Sequence, residues 1–285
     1  MQLDPAPPMR LQAADPLDDL VGNRFVDDGP ADVALVGLPF DGAVIGRKGA
    51  RLGPDAIRAQ LRKLKADKPA RWRDLGNARM PDDVLAAGEV ATQAMRAALD
   101  TGAFPVALGG DHSLTYGLVR AVAERHPDLA VLNLDAHLDV RVASPPNSGT
   151  SFRRLVDDKI VDPRRIAEIG IRPFANSPKY LTWAREAGIH VVTADRMESW
   201  VDALAAIKGP LYVSLDIDVL DETAAPGVSA PTPGGISSAQ LFSVLRALAK
   251  RAVVAMDVVE TCPPLDQDDR TARAAAYAIL SLVSR

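Results

Sequence analysis

The sequence predicts a three-layer α/β/α fold around a mostly parallel central sheet of about eight strands. Three observations carry this. Short apolar runs alternate with helical patterns along most of the 285 residues, which implies parallel strands joined by helical crossovers. The runs are continuously apolar, with no polar alternation, as in strands covered on both faces. Hydrophobic residues make up 47% of the chain, enough for a large core, and neither a break in composition nor an internal repeat marks a boundary. The expected organisation is an irregular arm over residues 1–30, rich in Pro, Asp and Gly, followed by one domain over residues 31–285.

Val33–Leu38 reads as the first strand, ended by Pro39. Gly53-Pro54-Asp55 opens a helix through Leu64, with Pro54 suited to a first turn. Pro81–Leu99 is Ala-rich and amphipathic, hence helical; Phe104–Leu108 is a strand, Leu114–Arg125 a helix and Leu129–Leu134 a strand. Then follow the strand Ile166–Ile171, the helix Pro178–Ala187, the strand Ile189–Val192 and the helix Val201–Lys208. The strand Leu211–Leu215, the helix Ser238–Arg251, the strand Val253–Val259 and the helix Ala272–Val283 complete the series. Two long segments, Asp139–Thr150 and Asp218–Gly235, lack periodicity and are rich in Pro, Gly and Ser. Both follow strands directly, and ligands in open parallel sheets bind outside the carboxyl ends of the strands.

The formal charge of −4 and scattered Lys and Arg give no basic surface for nucleic acid. The clusters Arg62-Lys63-Leu64-Lys65 and Arg71-Trp72-Arg73 read as solvated helix faces. Cys262 is the single cysteine, so no internal disulfide can form. Met1–Pro5 shows no positive region followed by an apolar stretch, and no segment has the roughly 20 apolar residues of a membrane helix. The expectation is a cytoplasmic protein with no nucleic-acid and no membrane partner.

Chemistry concentrates at three strand ends. Asp135, His137 and Asp139 follow Leu129–Leu134 at a spacing of two, which puts them on one face of an extended chain. Asp216 and Asp218 repeat the pattern after Leu211–Leu215, and His112 follows Phe104–Leu108 through Gly109-Gly110-Asp111. Taken singly, an Asp-x-Asp after a strand is usually a turn or a cap, and a lone His is usually structural. Together they are six ligand-type side chains at one sheet edge, holding two of the four histidines. Four carboxylates balance two divalent cations, and a carboxylate-dominated set with imidazole suits Mn2+, with Zn2+, Fe2+ and Co2+ also allowed by ligand type. Two such metals about 3.5–4 Å apart can share a water and ionise it near neutral pH. His126 and His190 read as structural, and Asp111 as turn chemistry or a partner that supports a ligand.

The stretches Gly109-Gly110-Asp111-His112-Ser113, Asp135-Ala136-His137-Leu138-Asp139 and Ser214-Leu215-Asp216-Ile217-Asp218-Val219-Leu220-Asp221 resemble the three signatures of the ureohydrolase family of arginases, agmatinases and formimidoylglutamases. The likeness extends to Gly49–Arg58, Pro226-Gly227 and Asp257-Val258-Val259-Glu260, across about residues 33–283. It implies an arginase-type fold, two Mn2+ per subunit and a homo-oligomer. By position, His112, Asp135, Asp139 and Asp216 would hold one metal; Asp135, His137, Asp216 and Asp218 would hold the other. Glu260 would bind the planar amidine or guanidine nitrogens, and Asp139 would move a proton.

Arginases and agmatinases usually carry His-Gly in the loop after the second signature. Here Ser148 stands in that place, within Asn147-Ser148-Gly149-Thr150-Ser151-Phe152-Arg153, a pattern similar to formimidoylglutamases. So is Gly170–Ser177, although many members have Gln where Arg172 stands. N-Formimidoyl-L-glutamate carries two carboxylates, and Arg forms bidentate contacts with them. The expected substrate-binding residues are Arg141, Asn147, Ser148, Arg153, Arg172 and Glu260, with Arg141 foremost because it lies two residues beyond Asp139. The expected reaction is hydrolysis to glutamate and formamide. The alternatives are a urea-releasing ureohydrolase, a nucleotide-binding α/β protein (Gly46–Gly53 fits neither phosphate-loop spacing) and an inactive metal-binding relative.

Overall fold

Val, Ile, Leu and Ala fill the strands that organise the molecule. The computed structural model describes residues 1–13, 15, 17–65 and 70–284, so residues 14 and 16 of the expected arm, and residue 285, lie outside the described residues. Its elements run β1 Leu3–Asp4, β2 Val33–Gly37, α1 Gly53–Leu61, β3 Trp72–Ala78, α2 Val84–Asp100, β4 Phe104–Leu108, α3 Thr115–Ala123, β5 Ala130–Leu134, α4 Ser151–Asp157, β6 Ile166–Ile171, α5 Pro178–Ala187, β7 His190–Thr193, α6 Trp200–Ala206, β8 Leu211–Asp216, α7 Ser238–Ala247, β9 Val253–Val259 and α8 Arg270–Val283.

The strands form one sheet in the order β1-β3-β2-β4-β9-β8-β5-β6-β7, with every pairing parallel except β1 on β3. Alternate strand residues feed two cores. Residues such as Leu132, Leu134, Val213 and Val258 pack with α1, α6, α7 and α8, and residues such as Val131, Tyr212 and Ala255 with α2, α3, α4 and α5. This is the expected three-layer arrangement, with nine strands instead of about eight.

The added strands are β1 and β3, and β3 corrects the reading of Arg71-Trp72-Arg73 as a helix face. Trp72 is buried in β3 and stacks on Phe25. Periodicity missed β3 because Arg73, Asp74 and Asn77 break its apolar run. Those polar groups serve α1: Arg58, fully buried, donates two hydrogen bonds to the Asp74 carboxylate at 2.7 and 2.8 Å and others to Asn77 Oδ1 and the Gly76 carbonyl. The helix α4 was also passed over. The helix expected from Pro81 begins at Val84, because Asp83 caps it by accepting the Ala86 N–H. Among the described residues, no helix is long and apolar enough to cross a membrane.

Removing one partner of a buried ion pair strands the other charge. Arg58→Ala is expected to lower unfolding free energy by about 3–5 kcal/mol in urea denaturation. An unchanged midpoint would show that the α1–β3 joint does not depend on this pair.

Candidate metal centre

Sheet register sets the height of the site. Leu108, Val258, Leu215 and Leu134 are aligned across β4, β9, β8 and β5. The next residue of each strand therefore emerges at one level, which places Asp135 and Asp216 side by side. Local backbone donors then aim the carboxylates. Asp135 Oδ1 accepts the His137 N–H at 2.6 Å, Asp216 Oδ1 accepts the Asp218 N–H at 2.9 Å, and Asp218 Oδ1 accepts the Ala136 N–H at 3.1 Å. The first two are Asx turns within their own loops, and the third ties the two carboxylate-bearing loops together.

His112 arrives from β4. The chain crosses close under Phe40, and a Cβ on Gly110 would lie 1.8 Å from the Phe40 carbonyl oxygen, so the crossing requires glycine. Asp111 caps the following turn by accepting the Ser113 N–H and also holds the Ala43 N–H. His112 Nδ1 then lies 2.9 Å from Asp139, 3.2 Å from Asp135 and 3.3 Å from Asp216 carboxylate oxygens. His137 Nδ1 lies 3.1 Å from Asp218 and 3.6 Å from Asp135. His112, Asp135 and Asp139 thus form one group able to hold an ion, and Asp135, His137 and Asp218 a second, with Asp135 common to both.

The tautomer of His112 follows from its neighbours. Ser214 donates its hydroxyl to Asp257 Oδ1 at 2.7 Å and so accepts from His112 Nε2, 3.1 Å away. Thr115 and Tyr212 donate to the other Asp257 oxygen. Nε2 therefore carries the ring proton, and Nδ1, buried and without a hydrogen-bond partner, turns its lone pair toward three carboxylates. Acceptors facing acceptors in a dry site need a cation between them.

Electrostatics agree. Burial opposes charge on His137, but Asp218 and Asp135 outweigh it and push its pKa up to about 12. Burial and then the Asp218 and Asp135 charges raise Asp216; burial and then Asp135 raise Asp139. The same carboxylates hold His112 well above its ordinary value against its burial, so that a proton on Nδ1 would take the cation's place; in that form His112, with His137, keeps Asp135 well below the usual range despite its own burial. The carboxylates together impose a field that favours positive charge between them.

The remaining expected residues divide. Arg141 lines a cleft with His137, Asp139, Ile45, Asn176 and Tyr180, and its guanidinium lies 5.7 Å from the Tyr180 ring centre. Glu260 lies beside the candidate ligand His112, with its oxygens accepting the His112 N–H at 2.8 Å and the Ser229 hydroxyl at 2.6 Å. Burial and then the Asp111 charge push its pKa up to about 8.

Four expected substrate contacts have other work in the structure. Arg172 is buried and donates to the carbonyls of Gly170, Asp218 and Leu220, bracing the loop that carries Asp218. Arg153 pairs with Asp157 at 2.7 Å and stacks 4.3 Å from the Trp183 ring centre. Asn147 caps the turn Ser148–Thr150, and Ser148 is buried, accepting the Ile45 N–H at 3.2 Å. Loop position puts Arg141 first but gives no ground for setting the other four aside. Sequence reasoning named Ser214 and Asp257 only as members of the family-like stretches and gave them no role, although each is a polar residue inside an apolar strand; Tyr180 gave no signal.

Residues 31–284 match the profile of the arginase family, and the chain belongs to that family. It is 42% identical over 266 residues to the formimidoylglutamase of Halobacterium salinarum, covering 87% of this chain and 86% of that protein. It is 37% identical to the agmatinase of Chromobacterium violaceum, covering 86% and 81%. Its structure superposes on the crystal structure of Trypanosoma cruzi formiminoglutamase with Mn2+2 at a TM-score of 0.82 and 28% identity, covering 89% and 92%.

If cations occupy the two groups, His137→Ala is expected to halve the Mn2+ bound per chain, read by elemental analysis after desalting. Full metal content in that variant would remove His137 from the ligand set. Mn2+ at about 100 times its dissociation constant should raise stability by about 2.7 kcal/mol per site; a melting temperature indifferent to Mn2+ and to chelator would count against both.

Proposed function

We propose that this chain hydrolyses a linear amidine C–N bond at a binuclear metal centre, converting N-formimidoyl-L-glutamate and water to L-glutamate and formamide. One observation carries the choice of substrate: Arg141 stands at the cleft beside His137 and Asp139, while Ser148 is turned into the protein. A fixed guanidinium at the cleft favours a substrate whose far end is a carboxylate and repels one whose far end is an ammonium, as in agmatine. The similarity to the Halobacterium formimidoylglutamase supports the same reading.

The donor set suits divalent ions, and the lone pair of His112 Nδ1 fits one. His112, Asp135, Asp139 and Asp216 would hold the first and Asp135, His137, Asp216 and Asp218 the second, in keeping with the Mn2+ of the Trypanosoma cruzi relative. When bound, two Mn2+ supply Lewis acidity and a water of lowered pKa.

The chain's own groups do the rest. Arg141 grips a glutamate carboxylate and sets the length of substrate that reaches the ligands. Each oxygen of Glu260 keeps a lone pair free for the amidinium N–H groups. Pairing with that cation lowers the raised pKa of Glu260 and favours the ionised carboxylate. Water adds to the formimidoyl carbon, and the bond from that carbon to the glutamate nitrogen breaks. Asp139 has its pKa raised by burial and Asp135 and lines the cleft, so its Oδ1 can take the proton of water and return it to the leaving amine.

Purified Mn2+-loaded protein is expected to release formamide and glutamate from N-formimidoyl-L-glutamate. Faster urea release from agmatine, arginine or another guanidino compound would reverse the assignment. Arg141→Gln should raise KM for formimidoylglutamate by about 10–100-fold, the worth of a charged hydrogen-bond pair, with kcat much less affected. An unaltered KM would take Arg141 out of substrate binding.

A further inference from the structure

Four polar side chains cross the middle of the sheet one row beneath the ligand carboxylates. Glu168 on β6, Asn133 on β5, Ser214 on β8 and Asp257 on β9 are aligned partners across adjacent strands, and all four are fully buried. Ser214 and Asp257 hold the ring of His112. The other half of the row has no such explanation. Asn133 Nδ2 donates to Asp135 Oδ2 at 3.1 Å and to Glu168 Oε2 at 2.7 Å, while Asn133 Oδ1 and Glu168 Oε1 are buried without partners. Two orphaned oxygens are costly in a core, and a leucine at position 168 would avoid one of them. Stability therefore does not account for Glu168.

Geometry does. The Asn133 amide can flip, and a flipped amide would present Oδ1 to Asp135. With acceptors on both sides of Nδ2, the flip sets oxygen against two carboxyl groups at once, and the amide is locked with N–H toward Asp135. We propose that Glu168 is a positioning residue for the metal centre, acting through Asn133 to fix the Asp135 carboxylate that both ligand groups share. The Ser214–Asp257 half of the row steadies the imidazole of the first group. The Glu168–Asn133 half steadies the carboxylate common to the two, so its loss should be felt at both metals.

The inference rests on the metal reading of the site, so wild-type apoprotein is titrated with Mn2+ first, by calorimetry. Absence of binding there would overturn that reading itself. Given binding, Glu168→Leu is expected to weaken both Mn2+ steps by about 10–100-fold, the usual effect of losing an outer partner of a metal ligand. The apoprotein should melt no lower than wild type. Glu168→Gln keeps an acceptor oxygen toward Asn133 and should bind Mn2+ like wild type. Asn133→Ala, with Glu168 in place, should reproduce the loss, and the double variant Asn133→Ala/Glu168→Leu should add nothing. Wild-type affinity in Glu168→Leu would overturn the proposal, as would weakening of one step alone or a fall in Glu168→Gln equal to that in Glu168→Leu. Should Glu168→Leu fail to fold, Asn133→Ala decides, and unchanged affinity there would also overturn it.

Discussion

Four carboxylates and two imidazoles meet at the ends of β4, β5 and β8, and the surrounding structure is arranged to hold them against their mutual repulsion. No Arg or Lys side chain is recorded in an ion pair with these carboxylates among the described residues. Backbone N–H groups instead point three of them inward, and Arg172 grips carbonyls of the Asp218 loop from outside without neutralising the site. A guanidinium between the carboxylates would be a built-in competitor for a metal. The fold keeps Arg172 one layer away, where it shapes the loop.

Much of this was legible in the sequence. Parallel strands buried on both faces are long apolar runs, and carboxylates immediately after such runs stand out without any knowledge of pairing. The ligand spacing of two survives for a different reason than an extended chain: Asp135 and Asp216 each accept the N–H two residues on, and Ile217–Val219 closes into a 3-10 turn, so the chain turns at once and still brings the ligands together. The strand β3 was hidden for the opposite reason: Arg73, Asp74 and Asn77 interrupt its apolar pattern, and their value becomes visible only when Arg58 arrives from α1. The row of Glu168, Asn133, Ser214 and Asp257 was equally hidden, since register between strands distant in sequence cannot be read from one strand at a time.

Residues around the cleft show where loop reasoning stops. Arg141, Arg153 and Arg172 carry the same chemistry and all follow the second signature, yet they end in different settings. Arg172 is consumed by carbonyls, Arg153 by Asp157 and Trp183, and Arg141 alone of the three lines the cleft with His137. What separates them is local supply of partners. Where the chain offers acceptors nearby, an arginine is absorbed into the scaffold. Where it offers an aromatic face such as Tyr180, the guanidinium keeps its hydrogen-bonding edge free.

The sheet order has a consequence for how the molecule is made. Strand β9 lies at the centre of the sheet, between β4 and β8, although it spans residues 253–259. During synthesis the chain therefore holds two incomplete half-sheets, β1-β3-β2-β4 and β8-β5-β6-β7, each with an open edge facing the ribosomal environment, until the last strand slides between them. Asp135, His137 and Asp218 belong wholly to the second half and can gather early. His112 belongs to the first and joins them only when β9 closes the gap. The group that contains His112 is thus the later of the two to assemble, and a chain stopped short of β9 would expose two sticky edges and leave that group unfinished.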